Sequence, residues 1–498
     1  MTAPVQAHTM TARHALQTAA PAPPARAVET RPFGAALARG AGASLAEQLA
    51  SLYAERISQR LLSPGARLPS VRDGARRHSV SPATVVAAYD MLLAQGLVDA
   101  RRQRGFFVRE PRPAGLSAVA SRDGPGALRP VDATALIRGM FHGGGLAGPG
   151  AGTLPPEWLD LPLLQRAMRS AMDGDDSALR YGEPAGDAGL RSVLAARLAD
   201  IGVAAAPSQI VTTVGATQAL DIVSRTLLSA GDAVLVDEPG WAVEFARLSR
   251  MGMKLLPVPR GSHGGPDLAV MRSHLQSHRP RLYITVSVLH NPTGVSLPLA
   301  AAHQVLRLAE EHELTIVEDD TYAHLAPAHS PRLCALDELR RTVYVSGFSK
   351  ILTPSWRVGY IAAPAALVER FVDTKLLSTL STPTLPERAL ARVLERGSLR
   401  RHAERITVRL DAARARVRRL AQDAGCHFVT PPQGLFGWLD VGVDTERLAH
   451  TMMDDGWLLA PGTLFHATPR PSTVMRVNFA TAQEARFWRA LVAARAQA

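Results

Sequence analysis

The chain reads as two folded units, a small α+β module near the N-terminus and a large α/β domain that fills most of the remainder. Three observations predict this. At 498 residues the chain is too long for one ordinary core. Short helical stripes followed by two arginine-flanked, strand-like runs occupy residues 41–110. From about Thr153 to Ala498, β-rich runs alternate with amphipathic helices, the pattern of a mostly parallel sheet.

Composition narrows the class. Hydrophobic residues make up 46% and charged residues 20% of the chain, as in globular proteins. No apolar run approaches the roughly 18 residues that a spanning helix needs, so no membrane partner is expected. Residues 1–40 are rich in Ala, Pro, Thr and Arg and predict a disordered arm. Two cysteines, Cys334 and Cys426, offer no disulfide framework or metal cluster and suit a reducing cytoplasm. The net charge of +12 favours a polyanionic partner.

In the small module, Leu45, Leu49, Leu52, Ile57, Leu61 and Leu62 fall on a helical stripe that Pro64-Gly65 ends. Ser70 is placed to cap a second, short helix, and Ser81 with Pro82 to open a third. The third carries Val85, Ala88, Tyr89, Leu92 and Leu93 inward and stops at Gly96. "LVDARRQRGFFV" then predicts two strands around a basic turn. Two short helices followed by a basic hairpin form the layout of a winged helix-turn-helix. The third helix would enter the DNA major groove with Ser81, Ala83 and Thr84. Arg72 and Arg76 or Arg77 would meet phosphates, and Arg101, Arg102, Arg104 and Gly105 would form the wing. Positions 60–109 hold nine arginines and three acids, about half of the whole chain's surplus charge. That is the footprint of a module that displaces counterions from double-stranded DNA.

Residues 111–152 are dense in Pro, Gly, Ala and Arg, lack a sustained period and predict a flexible linker. Beyond them, polar clusters follow the predicted strands, where ligands gather in such sheets. One lies in "VSGFSKILTPSWRVGY". The chain has only three lysines, Lys254, Lys350 and Lys375, and uses arginine elsewhere. A guanidinium cannot serve as an amine nucleophile, whereas Lys350 can lose its proton and form a Schiff base with an aldehyde. Asp319, after a buried strand, needs a cation, and a pyridinium nitrogen is a suitable one. Asn291 and Tyr322 can donate to a phenolate oxygen. Ala216 and Thr217 open a helix whose free N–H groups form a phosphate cup, which Ser349 and Arg357 complete. Trp241 supplies a flat face for a ring. Together these residues make the inventory for pyridoxal 5′-phosphate, PLP.

The small module, with "LPSVRDGARRHSVSPATVVAAYDMLLAQGLV" and "RGFFV", resembles the DNA-binding domain of GntR-type regulators. It departs from their pattern at Gly74, where leucine is usual; the expectation is looser packing of the second helix. The large domain, with "YGEPAG", "VGATQAL", "DEPGW", "HNPTG", "EDDTY", "SGFSK", "RVGY" and "MRVNFA", resembles the fold-type I PLP-dependent aminotransferases. That resemblance implies a smaller C-terminal α+β domain after Leu377 and a homodimer. It assigns Arg476 to an amino-acid carboxylate and Tyr181 to the neighbouring subunit's cofactor phosphate. Gly347 stands where the family often has Ser or Thr, and Ser346 is shifted by one. The fusion resembles the MocR regulators. It implies a PLP-dependent transcriptional regulator whose effector is PLP, an amine or an amino acid acting through aldimine chemistry at Lys350. The rival reading is a working aminotransferase with an additional N-terminal module.

Overall fold

In the computed structural model, the residues described are 37, 43–58, 61–62, 64–101, 105–109, 136–138, 148–172, 179–327 and 329–497. Most of the predicted arm and of the predicted linker lies outside them, as do Arg102 and Arg104.

The small module contains α1 (Leu45–Ser58), α2 (Val71–His78), α3 (Pro82–Ala94) and an antiparallel hairpin of β1 (Val98–Arg101) and β2 (Gly105–Val108). Local chemistry sets its boundaries. The Ser70 hydroxyl accepts from Asp73 N–H and the Ser81 hydroxyl from Thr84 N–H, with Pro82 in the first turn of α3. Gly96 follows α3 at φ +69°, the left-handed region that glycine enters without a Cβ penalty. The buried stripe of α1 differs from expectation. Gln48, Leu49, Ala50, Tyr53 and Arg56 face inward, while Leu45, Leu52 and Ile57 are only partly covered. Leu61 and Leu62 are buried after the helix has ended. Gly74 does not loosen α2. A Cβ there would lie 3.1 Å from a Val85 methyl carbon and 3.4 Å from the Tyr89 hydroxyl, so glycine lets α2 sit close against α3.

The large domain is built on a seven-stranded sheet. Its strands are β3 (Ile210–Thr213), β4 (Ala233–Glu238), β5 (Lys254–Pro259), β6 (Leu282–Thr285), β7 (Thr315–Asp319), β8 (Thr342–Gly347) and β9 (Gly359–Ala362), in the order β3-β9-β8-β7-β6-β4-β5. Pairings from β5 through β8 are parallel, and β9 runs antiparallel to both neighbours. Every residue of β3, β6, β8 and β9 is buried, as expected of strands covered on both faces. Strand β5 falls in none of the runs read from the sequence. It carries Pro257 and Pro259, which a strand tolerates only at an edge, and the edge is where it pairs with β4.

The C-terminal sheet is smaller and antiparallel: β10 (His427–Phe428), β11 (Phe436–Asp440), β13 (Val474–Asn478) and β12 (Ala460–Pro461), in that spatial order. The helix Ser398–Asp423 leads to it, burying Leu399, His402, Ile406, Leu410, Ala413, Val417 and Ala421 on one stripe. Most of its arginines face water. After Leu377, the helix Thr384–Glu395 packs against helices Leu161–Met172 and Ala188–Ala199.

Candidate functional site: a lysine-centred cavity and an exposed winged helix

A cavity of about 500 Å³ opens at the carboxyl ends of the parallel strands, lined by residues from both sheets. It brings together Lys350, Asp319, Asn291, Tyr322, Trp241, Ala216, Thr217, Ser349, Arg357 and Arg476. Of the predicted cofactor residues, only Tyr181 stands apart, 85% exposed.

Lys350 follows β8 and donates from Nζ to the Gly152 carbonyl at 2.7 Å. Burial, reinforced by the Arg476 and Arg357 guanidinium groups, pulls its ammonium down to about 8. A usable fraction is therefore neutral amine near pH 7, as a nucleophile requires. Asp319 ends β7. Burial pushes its carboxyl up to about 6, against the hydrogen bonds from the Thr321 backbone N–H (3.0 Å) and hydroxyl. A cation placed against Asp319 would restore its charge. Tyr322 is packed edge-on against Phe436, and burial raises its phenol well above the ordinary value.

The cup predicted to hold the phosphate is shaped by backbone geometry. Gly215 has φ +77°, and a Cβ there would lie 2.6 Å from an Arg357 guanidinium nitrogen. Glycine thus admits Arg357 to the helix N-terminus. Arg357 donates to the Ser349 hydroxyl and to the Val214 carbonyl, each at 3.2 Å. Gly347 also lines the cavity. Ser346 does not reach it, because its hydroxyl is buried and donates to the Asp320 carbonyl at 2.9 Å.

Arg476, on β13, is 4% exposed. It donates to Asn291 Oδ1 at 3.2 Å and to the Gly150 carbonyl at 2.7 Å, and its guanidinium carbon lies 4.4 Å from the Phe436 ring centroid. Burial lowers it to about 10, so it remains a cation at neutral pH. The pocket therefore fits PLP: an amine, an anion for the ring nitrogen, donors for the phenolate, a cationic phosphate cup, and a further cation for a carboxylate.

Sequence reasoning missed the support beneath this site. Asp237 on β4 is buried and accepts from Tyr283 Oη (2.6 Å), Thr285 Oγ1 (2.8 Å), Arg260 Nη1 (2.9 Å) and Val286 N (3.1 Å). It ties together the loops that carry Trp241 and Asn291. The signal in the sequence is the Asp of "DEPGW", an acid within an apolar strand.

On the small module, Arg72, Arg76, Ser81 and Ala83 are exposed, and Thr84 is half-buried with its hydroxyl 2.8 Å from that of Ser81. Arg101 lies over the Phe107 ring at 4.5 Å and faces Gly105 across the hairpin. Arg77 is turned partly aside, 3.5 Å from Asp454 of the C-terminal unit. Arg67, which the sequence reading did not assign, is exposed and pairs through its backbone with Phe107 beside the wing.

Residues 45–108 match the family of bacterial regulatory proteins called gntR, and residues 150–493 match aminotransferase class I and II. The chain belongs to the aminotransferase class I and II family and carries a GntR-type reader ahead of that domain, an arrangement consistent with the MocR subfamily. It is 29% identical to the uncharacterized HTH-type transcriptional regulator YdcR of Escherichia coli, over 87% of this chain and 94% of that one. The probable rhizopine catabolism regulatory protein MocR of Rhizobium meliloti is also 29% identical, over 76% of this chain and 78% of the relative. Among solved structures, LysN, the alpha-aminoadipate aminotransferase of Thermus thermophilus complexed with N-(5′-phosphopyridoxyl)-L-leucine, superposes with a TM-score of 0.67 at 26% identity. The match covers 73% of this chain and 96% of LysN. A GntR-type reader joined to an aminotransferase-like domain makes the chain a PLP-dependent DNA-binding transcriptional regulator.

Proposed function

We propose that the large domain is a sensor that reports PLP, an amine or an amino acid to the winged helix, and that Lys350 is the reporting group. The observation that carries this is a complete PLP pocket in the same chain as an exposed, arginine-bearing winged helix-turn-helix. When bound, PLP supplies an aldehyde that condenses with primary amines and a ring that draws off electrons. The protein supplies the rest. Lys350 offers a neutral amine, Asp319 holds charge against the ring nitrogen, and Asn291 and Tyr322 orient the ring. Arg357 and Ser349 fix the phosphate, while Arg476 receives a carboxylate. An effector shifts the reader only if it binds two domain arrangements with different affinity.

The reading includes a homodimer. Tyr181 and Leu179 are 85% and 87% exposed, next to a loop that follows Leu377, which is 92% exposed. The neighbourhood is fixed by Gly182, where a Cβ would approach Thr384 and Thr382. Such a patch is what a second copy would cover, placing Tyr181 beside the other subunit's phosphate cup.

The test is an absorbance screen of the purified, PLP-loaded chain against amines and amino acids, with operator binding followed in parallel. An effector that changes both signals supports the sensor. Sustained keto-acid production without any change in DNA binding supports the aminotransferase reading.

A further inference from the structure

The cavity has a wall that the cofactor inventory does not use. Leu136 and Ile137 line it, although they precede the aminotransferase match by more than ten residues. They lie in the stretch that runs from the reader to the effector domain, which the sequence reads as featureless linker. Leu136 is 7% exposed and packs in a cluster with Ala242, Trp438, Leu464 and Phe465. Phe465 lies 5.3 Å from the Arg476 guanidinium carbon. The wall therefore stands at the carboxylate end of the cavity, where the side chain of a bound amino acid would lie.

The charges in the cavity are already assigned. Among the described residues, the charged side chains lining it are Asp319, Lys350, Arg357 and Arg476. Their places are ring nitrogen, amine, phosphate and α-carboxylate. None is left for a second carboxylate or a second ammonium, whose burial without a partner is costly. The lining also includes Leu136, Ile137, Ala242, Val243 and Phe465, an apolar surface that reaches Arg476 through Phe465.

We propose that the effector is an α-amino acid with a neutral, apolar side chain, and that this side chain is read by Leu136 and Ile137. The stretch tying the reader to the effector domain is then part of the effector pocket. An effector that contacts it anchors that stretch by the apolar area it covers, so occupancy reaches the reader's tether directly. This deepens the sensor reading and rests on it.

The test titrates the full-length, PLP-loaded chain with L-leucine, L-alanine and L-2-aminoadipate, following cofactor absorbance. Expected is an apparent affinity for leucine about tenfold or more above that for alanine, with aminoadipate no better than alanine. Leu136→Ala with Ile137→Ala should remove the leucine advantage and leave alanine little changed. Ile137→Arg should raise the affinity for aminoadipate, a gain that misfolding cannot imitate. Leucine should also slow tryptic cleavage after the exposed Arg138, read by mass spectrometry. Aminoadipate binding the wild-type chain more tightly than leucine would overturn the proposal. So would an unchanged leucine-to-alanine ratio in the double variant. Silence of the wild-type absorbance toward every amino acid would overturn it too, while leaving the sensor reading with PLP or a simple amine as effector. Silence toward amines as well, with operator binding unmoved by PLP, would defeat the sensor reading itself.

Discussion

Lys350 and Arg476 divide the chemistry between a cation that can become neutral and one that cannot. With the Lys350 ammonium held down to about 8, the neutral fraction rises as pH climbs through that value and levels off above it. Covalent uptake of PLP by the cofactor-free chain should therefore accelerate between about pH 7 and 9 and then plateau, as stopped-flow absorbance would show. A lysine at its ordinary value would give a rate still climbing toward pH 10. Borohydride reduction followed by peptide mapping should place the cofactor on Lys350, although burial also pulls Lys375 down to about 8. Lys375 is fully buried and donates to the Thr382 hydroxyl at 2.7 Å, so the pocket rather than the pKa decides which lysine reacts. Arg476→Ala should weaken amino-acid binding by about 2 kcal/mol or more, roughly 30-fold, because a buried carboxylate loses its charged partner. Simple amines should bind it as they bind the wild type.

At the scale of elements, caps and periodicity were legible and edges were not. Ser70, Ser81, Pro82 and Gly96 announced α2 and α3 because each has one local physical job. Strand β5 escaped because Pro257 and Pro259 read as breakers until its partner, β4, shows it to be an edge. Asp319 at the end of β7 was legible because a buried acid is costly without a cation, and Lys350 after β8 because a chain that uses arginine elsewhere keeps a lysine there; Arg476 on β13 came only from the family resemblance. Leu136 was not legible, since one apolar residue in a Pro- and Gly-rich stretch has no period to declare it. Gly74 was misjudged because close helix packing is a tertiary fact. Gly74→Leu should accordingly overpack against Val85 and destabilise the reader by about 1–3 kcal/mol, seen as faster proteolysis within α2 and weaker DNA binding. Arg72→Ala should weaken binding to all sequences and lower the salt slope by about one, whereas Thr84→Ala should change preference among operators. Uniform loss in the Thr84 variant would contradict the placement of α3 in the groove.

Across the whole molecule, the reader and the C-terminal unit meet through charge. Arg56 on α1 is 2% exposed, ion-paired with Asp454 at the end of helix Thr445–Asp454, and Arg77 approaches the same carboxylate. That helix is joined to β13, the strand of Arg476, by the Thr445 hydroxyl, which donates to the Val474 carbonyl at 3.3 Å and to the Ser472 carbonyl at 2.8 Å. A buried arginine that loses its carboxylate is costly, on the order of 3–5 kcal/mol. Asp454→Ala should therefore loosen the contact, with faster hydrogen exchange at the end of α1 and in residues 445–454.

The central claim is that amine chemistry at Lys350 governs the reader. Its most direct measurement is operator occupancy by the wild-type and Lys350→Ala chains, each with and without an effector that changes the wild-type cofactor spectrum. The effector should shift occupancy in the wild type and leave Lys350→Ala unmoved, with both chains binding DNA. Equal occupancy in all four samples, alongside rapid multiple turnover by the wild type, would contradict it.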